Sequence, residues 1–163
     1  MLERVVSGGQ TGADIAGLLA ASLCGLQTGG HIPKGFKTEK GFFPALARFG
    51  LIETKSSGYE ERTRLNVWDS DGTVLLARNW GSSGTVKTQE MCESIFKPFF
   101  RVLFPEKDDL VLTIPHDIVE WIQRENIHIL NVAGNRESKA PGIQKWATQF
   151  LIDVFKEITD GGK

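Results

Sequence analysis

Cysteine is scarce in this chain: only Cys24 and Cys92 occur among 163 residues. Neither has a second cysteine at metal-ligand spacing, so no disulfide framework and no zinc site is expected. Both read as buried thiols of a reducing compartment. Histidine is as sparse, and His31, His116 and His128 stand in separate segments, which gives no ligand set for a metal. No apolar run reaches the roughly 18 residues needed to span a bilayer, so no membrane partner is expected. The N-terminus, Met1-Leu2-Glu3-Arg4-Val5-Val6, enters a strand pattern at once, without the basic and apolar regions of an export signal; a cytoplasmic location is expected. The formal net charge is -1. Binding along a nucleic-acid backbone favours a strong basic excess, which is missing. There is no G-x-S-x-G elbow either, and nucleophilic catalysis finds no support.

What is present is an alternation of short apolar runs and helical stripes. Arg4–Ser7, Thr73–Ala77, Arg101–Phe104 and Ile129–Ala133 read as strands buried on both faces, with shorter candidates at Leu26–Thr28 and Leu51–Glu53. Ile15, Leu18, Leu19, Leu23 and Leu26 fall at helical spacing, and Gly25 is a stop. The stripe from Ile143 to Ile158 is the clearest helix and belongs to a core. Strands alternating with helices imply βαβ units, hence an α/β, Rossmann-like three-layer sandwich around a mainly parallel sheet, in one domain spanning 1–163. Residues 29–58 show little periodicity and read as a long ordered loop with short pieces of structure.

Loops that follow parallel strands share one edge of the sheet, where such folds bind ligands. Three of them are rich in small residues. The first, Ser7-Gly8-Gly9-Gln10-Thr11-Gly12-Ala13-Asp14, lies between a strand and a helix; free amides and the helix dipole there attract a phosphate. Thr11 and Asp14 also match a capping-box spacing. The loop lacks the Lys-Ser or Lys-Thr ending of a P-loop, and the acidic ribose partner of a dinucleotide site is missing. The second loop, Asn79-Trp80-Gly81-Ser82-Ser83-Gly84-Thr85, repeats the design. The third, Gly134-Asn135-Arg136-Glu137-Ser138-Lys139-Ala140-Pro141-Gly142, adds the cations of Arg136 and Lys139 and the hydroxyl of Ser138. In the helix predicted from Tyr59, Arg62, Asn66 and Asp69 share one face. Asp69-Ser70-Asp71-Gly72 lacks the remaining ligands of a calcium loop and reads as a turn.

Five segments together resemble a known family: Ser-Gly-Gly-Gln-Thr-Gly-Ala-Asp at 7–14, Thr-Gly-Gly-His-Ile-Pro-Lys-Gly at 28–35, Glu-Arg-Thr-Arg-Leu-Asn-Val-Trp-Asp-Ser-Asp-Gly-Thr at 61–73, Ser-Gly-Thr-Val-Lys-Thr at 83–88 and Asn-Val-Ala-Gly-Asn-Arg-Glu-Ser-Lys-Ala-Pro-Gly at 131–142. They resemble the circularly permuted YpsA branch of the SLOG superfamily, whose members also carry a molybdenum-carrier label. The resemblance implies a Rossmannoid fold, a bound nucleotide or molybdenum cofactor-like pterin, and homo-oligomerisation. It gives Lys34, Arg62, Asn66 and Asp69 weight as ligand contacts. Related LOG enzymes, which cleave the N-glycosidic bond of nucleoside monophosphates, have the motif P-G-G-x-G-T-x-x-E. Gly84-Thr85 fits its centre, but Thr88 stands where the glutamate belongs.

Two functions compete for one pocket. In a carrier or sensor, Gly8–Gly12 and Gly81–Thr85 hold phosphates while Lys34 and Arg136 balance charge. In a nucleotide-processing hydrolase of the N-glycosidase or phosphohydrolase type, Asp14, Asp69 or Glu137 orients a water as general base. The missing glutamate favours binding. A nucleic-acid module is disfavoured by the near-neutral charge.

Overall fold

A computed structural model describes residues 1–106, 109–110 and 113–161. Its centre is a six-stranded sheet in the order β5-β2-β1-β8-β6-β7, comprising β1 (Arg4–Ser7), β2 (Gln27–Ile32), β5 (Leu51–Glu53), β6 (Gly72–Ala77), β7 (Phe99–Leu103) and β8 (Ile129–Gly134). Every neighbouring pair is parallel. The helices are α1 (Ala13–Leu23), α2 (Tyr59–Trp68), α3 (Ser83–Ser94), α4 (Pro115–Arg124) and α5 (Ile143–Asp160). They cover both faces of the sheet.

The strands form where the apolar runs are. In β6 all six residues are buried, as expected of a strand covered on both faces. β1 and β5 have the bounds read from the sequence, whereas β2 runs through Gly29-Gly30-His31-Ile32, four residues beyond the expected Leu26–Thr28. The stretch expected to be one long loop is therefore built. It holds the end of β2, a hairpin of β3 (Lys37–Thr38) and β4 (Gly41–Phe42), a 3-10 helix at Pro44–Phe49, and β5. α4 was not expected; it buries Ile118, Val119, Trp121 and Ile122 and leads into β8. With α1 and α5 it shares the larger core around Phe155, Leu151, Leu130 and Val74. Ile15, Leu18, Ile32, Leu46, Phe49 and Leu51 form a second cluster.

α2 is polar, burying only Asn66 and Val67, yet it is held firmly. Asn66 Oδ1 accepts the His31 amide at 2.8 Å and its Nδ2 donates to the His31 carbonyl at 2.9 Å. Ladder pairing of β1 with β2 ends at Val6 and Gly29, so beyond that point the Asn66 amide takes the place that a longer β1 would fill. Truncation would leave two backbone groups of β2 without partners beside a residue that is only 2 % exposed. Asn66→Ala is expected to lower unfolding stability by about 2–3 kcal/mol, read as a shift of the urea midpoint at unchanged slope.

Candidate functional site

Sheet order decides what the three glycine-rich loops can do. They follow β1, β8 and β6, which are consecutive in the sheet, so the loops stand side by side on one edge. Between them and the start of α2 lies a cleft of about 620 Å³. Gln10 reaches it from the first loop, Gly81, Ser82, Ser83 and Gly84 from the second, Gly134, Arg136 and Lys139 from the third, and Arg62 from α2. Eight residues outside the candidate set also line it: Ser56, Gly58, Tyr59, Glu60, Glu61, Thr63, Asn79 and Lys87.

Asn135, 1 % exposed, binds the three loops into one body. Its Oδ1 accepts the amides of Arg78 and Asn79 at 2.9 and 2.8 Å. Its Nδ2 faces the Asn79 carbonyl, Ser82 Oγ and Thr85 Oγ1 at 2.9–3.0 Å. Its own carbonyl accepts the Ala13 amide at 3.1 Å, which fastens the first loop as well.

The middle of the first loop, Gln10 to Ala13, spends its amides on the protein. The Gln10 amide donates to Asp14 Oδ2, the Thr11 amide to Gln10 Oε1, and the Gly12 amide to Gln144 Oε1. Thr11 and Asp14 form no capping box: the Thr11 hydroxyl turns to the Glu39 carboxylate, and the residue before α1 is Gly12, with φ of 82°. A Cβ at Gly12 would stand 2.3 Å from the Asn135 carbonyl, and one at Gly8 would stand 1.7 Å from Arg62 Nη1. These two glycines let a loop and a guanidinium approach the backbone; Gly9 packs against Ile32 and Leu51. The Arg62 guanidinium reaches Asp14 at 2.8 Å. Burial pushes the Asp14 carboxyl above 3.8, against the opposing pull of Arg62 and the Gln10 amide.

The second loop is different. Ser82 and Thr85 share a hydroxyl contact at 2.8 Å, and the Val86 amide returns to the Ser82 carbonyl. Among the described residues, the amides of Ser83, Gly84 and Thr85, the first turn of α3, donate to no partner. A Cβ at Gly84 would meet nothing within 4 Å, so this turn opens on free space. Around it stand Arg62, Lys87, Arg136 and Lys139. The Tyr59 ring has Lys37 Nζ, Arg62 Cζ and Arg136 Cζ at 5.7, 5.8 and 5.9 Å from its centroid, within cation–π range.

Several expected site residues are engaged elsewhere. Glu137 caps α5, accepting the Gly142 amide at 2.5 Å and the Gln144 amide at 3.0 Å. Asp69 pairs with His31 Nε2 at 2.8 Å, and it lies about 15 Å down α2 from Tyr59 at the helical rise of 1.5 Å per residue. Asn66 grips β2 as described. Lys34 is exposed and outside the cleft lining. Thr11 and Ser138 hold Glu39, whose side chain is 12 % exposed: both hydroxyls and the Ser138 amide donate to its carboxylate.

Comparison with known proteins bears out the family resemblance. The model of the circularly permutated YpsA SLOG family matches residues 5–155. The chain belongs to that family. It is also similar to the crystal structure of a protein named putative molybdenum carrier protein, from Syntrophus aciditrophicus SB, with 35 % identity, a TM-score of 0.81 and 94 % of each chain covered. Among curated proteins nothing matches. In this YpsA-type chain Thr88, which replaces the glutamate of the LOG motif, is 5 % exposed and donates its hydroxyl to the Gly84 carbonyl. It closes the turn internally and carries no acid or base.

Asn135→Ala is expected to cost about 3 kcal/mol or more, because several buried backbone and hydroxyl groups lose partners together; calorimetric unfolding would show it, and a loss under about 1 kcal/mol would contradict the clamp. Glu39 supplies a pH signature. Desolvation pushes its carboxyl up, but the Ser138 and Thr11 hydroxyls, the Ser138 amide and Arg136 together hold it below 4.5. The unfolded chain then binds the proton more tightly, so this stabilisation is present above pH 4.5 and lost as pH falls through the lower native value. The stability gap between the wild type and Glu39→Gln should be full at neutral pH and shrink on acidification; a pH-independent gap would contradict the assignment.

Proposed function

We propose that this chain is a binding protein, a carrier or sensor, for a phosphorylated small molecule such as a nucleotide or a molybdenum cofactor-like pterin. The observation that carries the reading is the unspent first turn of α3. Of its three unpartnered amides, those of Ser83 and Gly84 belong to residues that line the cleft, together with the cations Arg62, Lys87, Arg136 and Lys139 and the carboxylates Glu60 and Glu61. Such a turn suits a phosphate, because the amides and the dipole end act on one anion. Ser83 and Gly84 then hold the phosphate, and Arg62, Arg136, Lys139 and Lys87 balance its charge. Tyr59 gives a planar heterocycle a face to stack on. The carrier name of the similar structure from Syntrophus supports the same reading.

A hydrolase needs a carboxylate free to activate water. Asp14, Asp69 and Glu137 all have partners, Glu61 accepts the Ser56 amide at 2.9 Å, and Glu60 lies 3.9 Å from Lys87. This favours binding without turnover. No described helix is long and apolar enough to cross a membrane. A cytoplasmic location, homo-oligomerisation and one ligand-binding domain over 1–163 complete the proposal, the first from the sequence pattern and the second from the family resemblance.

Gly84→Val fills open space, so its fold should survive while the anion pocket shrinks. It is expected to weaken binding of a nucleoside monophosphate at least tenfold at unchanged melting temperature. Lys139→Ala should weaken it roughly threefold to tenfold, with a shallower salt dependence. Calorimetric titration checks both, and unchanged affinity in the two variants would refute the site.

A further inference from the structure

Next to the cleft, on the far side of its lining residue Arg136, the first and third loops hold an acidic side chain from another element. Glu39 sits at the tip of the β3–β4 hairpin, which pairs only with itself. It enters a cradle of four donors. The Thr11 hydroxyl and the Ser138 amide, the latter at 3.1 Å, point at Oε1; the Ser138 hydroxyl points at Oε2, and Arg136 Nε lies 3.9 Å from Oε2. Thr11 Oγ1 itself accepts the Glu137 amide at 3.2 Å, so its single hydrogen is committed to the carboxylate. Two hydroxyls, an amide and a guanidinium make a donor set that suits a phosphate-like oxyanion as well as a carboxylate.

The hairpin is anchored at its base, where Thr38 is buried and Phe36 packs on the second core cluster, and exposed beyond it. Gly35, Phe36 and Gly41 have φ of 81°, 53° and 100°, and a phenylalanine in the left-handed region is strained. Phe42 and Phe43 are 73 % and 48 % exposed. Apart from the Glu39 carboxylate, the tip is tied to the loops by the Glu39 amide donating to Gln10 Oε1 at 2.8 Å. The same hairpin carries Lys37 over Tyr59. One strap therefore occupies the cradle with its carboxylate and attends the aromatic ring with its ammonium group.

We propose that Thr11, Ser138 and Arg136 form a second oxyanion site in which Glu39 is a resident substitute, and that a tetrahedral oxyanion displaces Glu39 and releases the tip of the Lys37–Phe42 hairpin from the first and third loops. The inference rests on the binding reading above, but it concerns a different set of donors from the first turn of α3. Like charges cannot share the cradle, so anion entry and Glu39 release are one event. The oxyanion is either a free inorganic ion or the phosphate of a larger ligand.

Titrating inorganic phosphate, molybdate and AMP into the wild type, Glu39→Ala and Glu39→Ala/Ser138→Ala by calorimetry separates these sources. Glu39→Ala is expected to bind at least one probe tenfold or more tightly than the wild type, and the double variant should lose that gain. A gain with the inorganic ions identifies a free anion, and a gain with AMP alone a ligand phosphate. Equal affinity in the wild type and Glu39→Ala for all three, or a gain that survives in the double variant, overturns the proposal. Should Glu39→Ala not fold, hydrogen exchange in the wild type decides. Saturating probe should speed exchange of the 38–41 amides at least tenfold. Calorimetric binding of AMP with that exchange unchanged or slowed sinks this inference and keeps the binding reading; no binding of any probe to any form sinks both.

Discussion

The structure at the ligand edge depends on one buried amide. Asn135 offers a carbonyl oxygen and an amino group to the second loop and a backbone carbonyl to the first, while belonging to the third. It can do so because β8 lies between β1 and β6. With another strand order, the same three sequences would fold into the same turns and never touch. Backbone groups on a tight strand-to-helix loop have no ladder to satisfy them, and here a single side chain answers several of them at once.

That arrangement divides labour among loops that look alike in sequence. In the β1 loop the amides of Gln10 to Ala13 end on Asp14, Gln10, Gln144 and Asn135, and its glycines admit Arg62 and the neighbouring backbone. It serves as a foundation. The β6 loop is open, its side chains turned back toward Asn135 while the first amides of α3 face the cleft. The β8 loop supplies charge through Arg136 and Lys139 and rigidity through Glu137, which fixes the start of α5. Carboxylates near the edge are largely employed as internal anions: Asp14, Glu39 and Glu137 each neutralise donors that would otherwise compete for a ligand.

Much of this was legible in the sequence, and the limits have physical causes. Unbroken apolar runs betrayed β1, β6 and β8, and the long stripe from Ile143 betrayed α5, because two-sided burial and a 3.6-residue period leave strong local marks; β7, expected at Arg101–Phe104 and buried on both faces, is an edge strand at Phe99–Leu103 with only Val102 buried. α4 left a weak one, since four buried residues within a single short helix make no extended stripe. β2 was cut short because Gly29 and Gly30 read as a loop; their lack of side chains instead admits Arg4 and the Ser7 backbone alongside. For the site, the three loops could be named but not ordered. Glycine also marks a close approach without saying whether the visitor is a ligand or an arginine, as Gly8 shows. Tyr59, Glu39 and Asn135 owe their roles to partners distant in the chain, Glu39 and Ser138 being 99 positions apart, and no local pattern records such a contact.

Backbone amide resonances followed during titration with a nucleoside monophosphate test most directly whether a ligand's anionic group sits on the first turn of α3. Ser83 and Gly84 should move strongly downfield to saturation as their amides gain an acceptor, while Gly12, already bonded to Gln144, stays near its starting position. Saturable binding that leaves Ser83 and Gly84 unmoved would contradict the account.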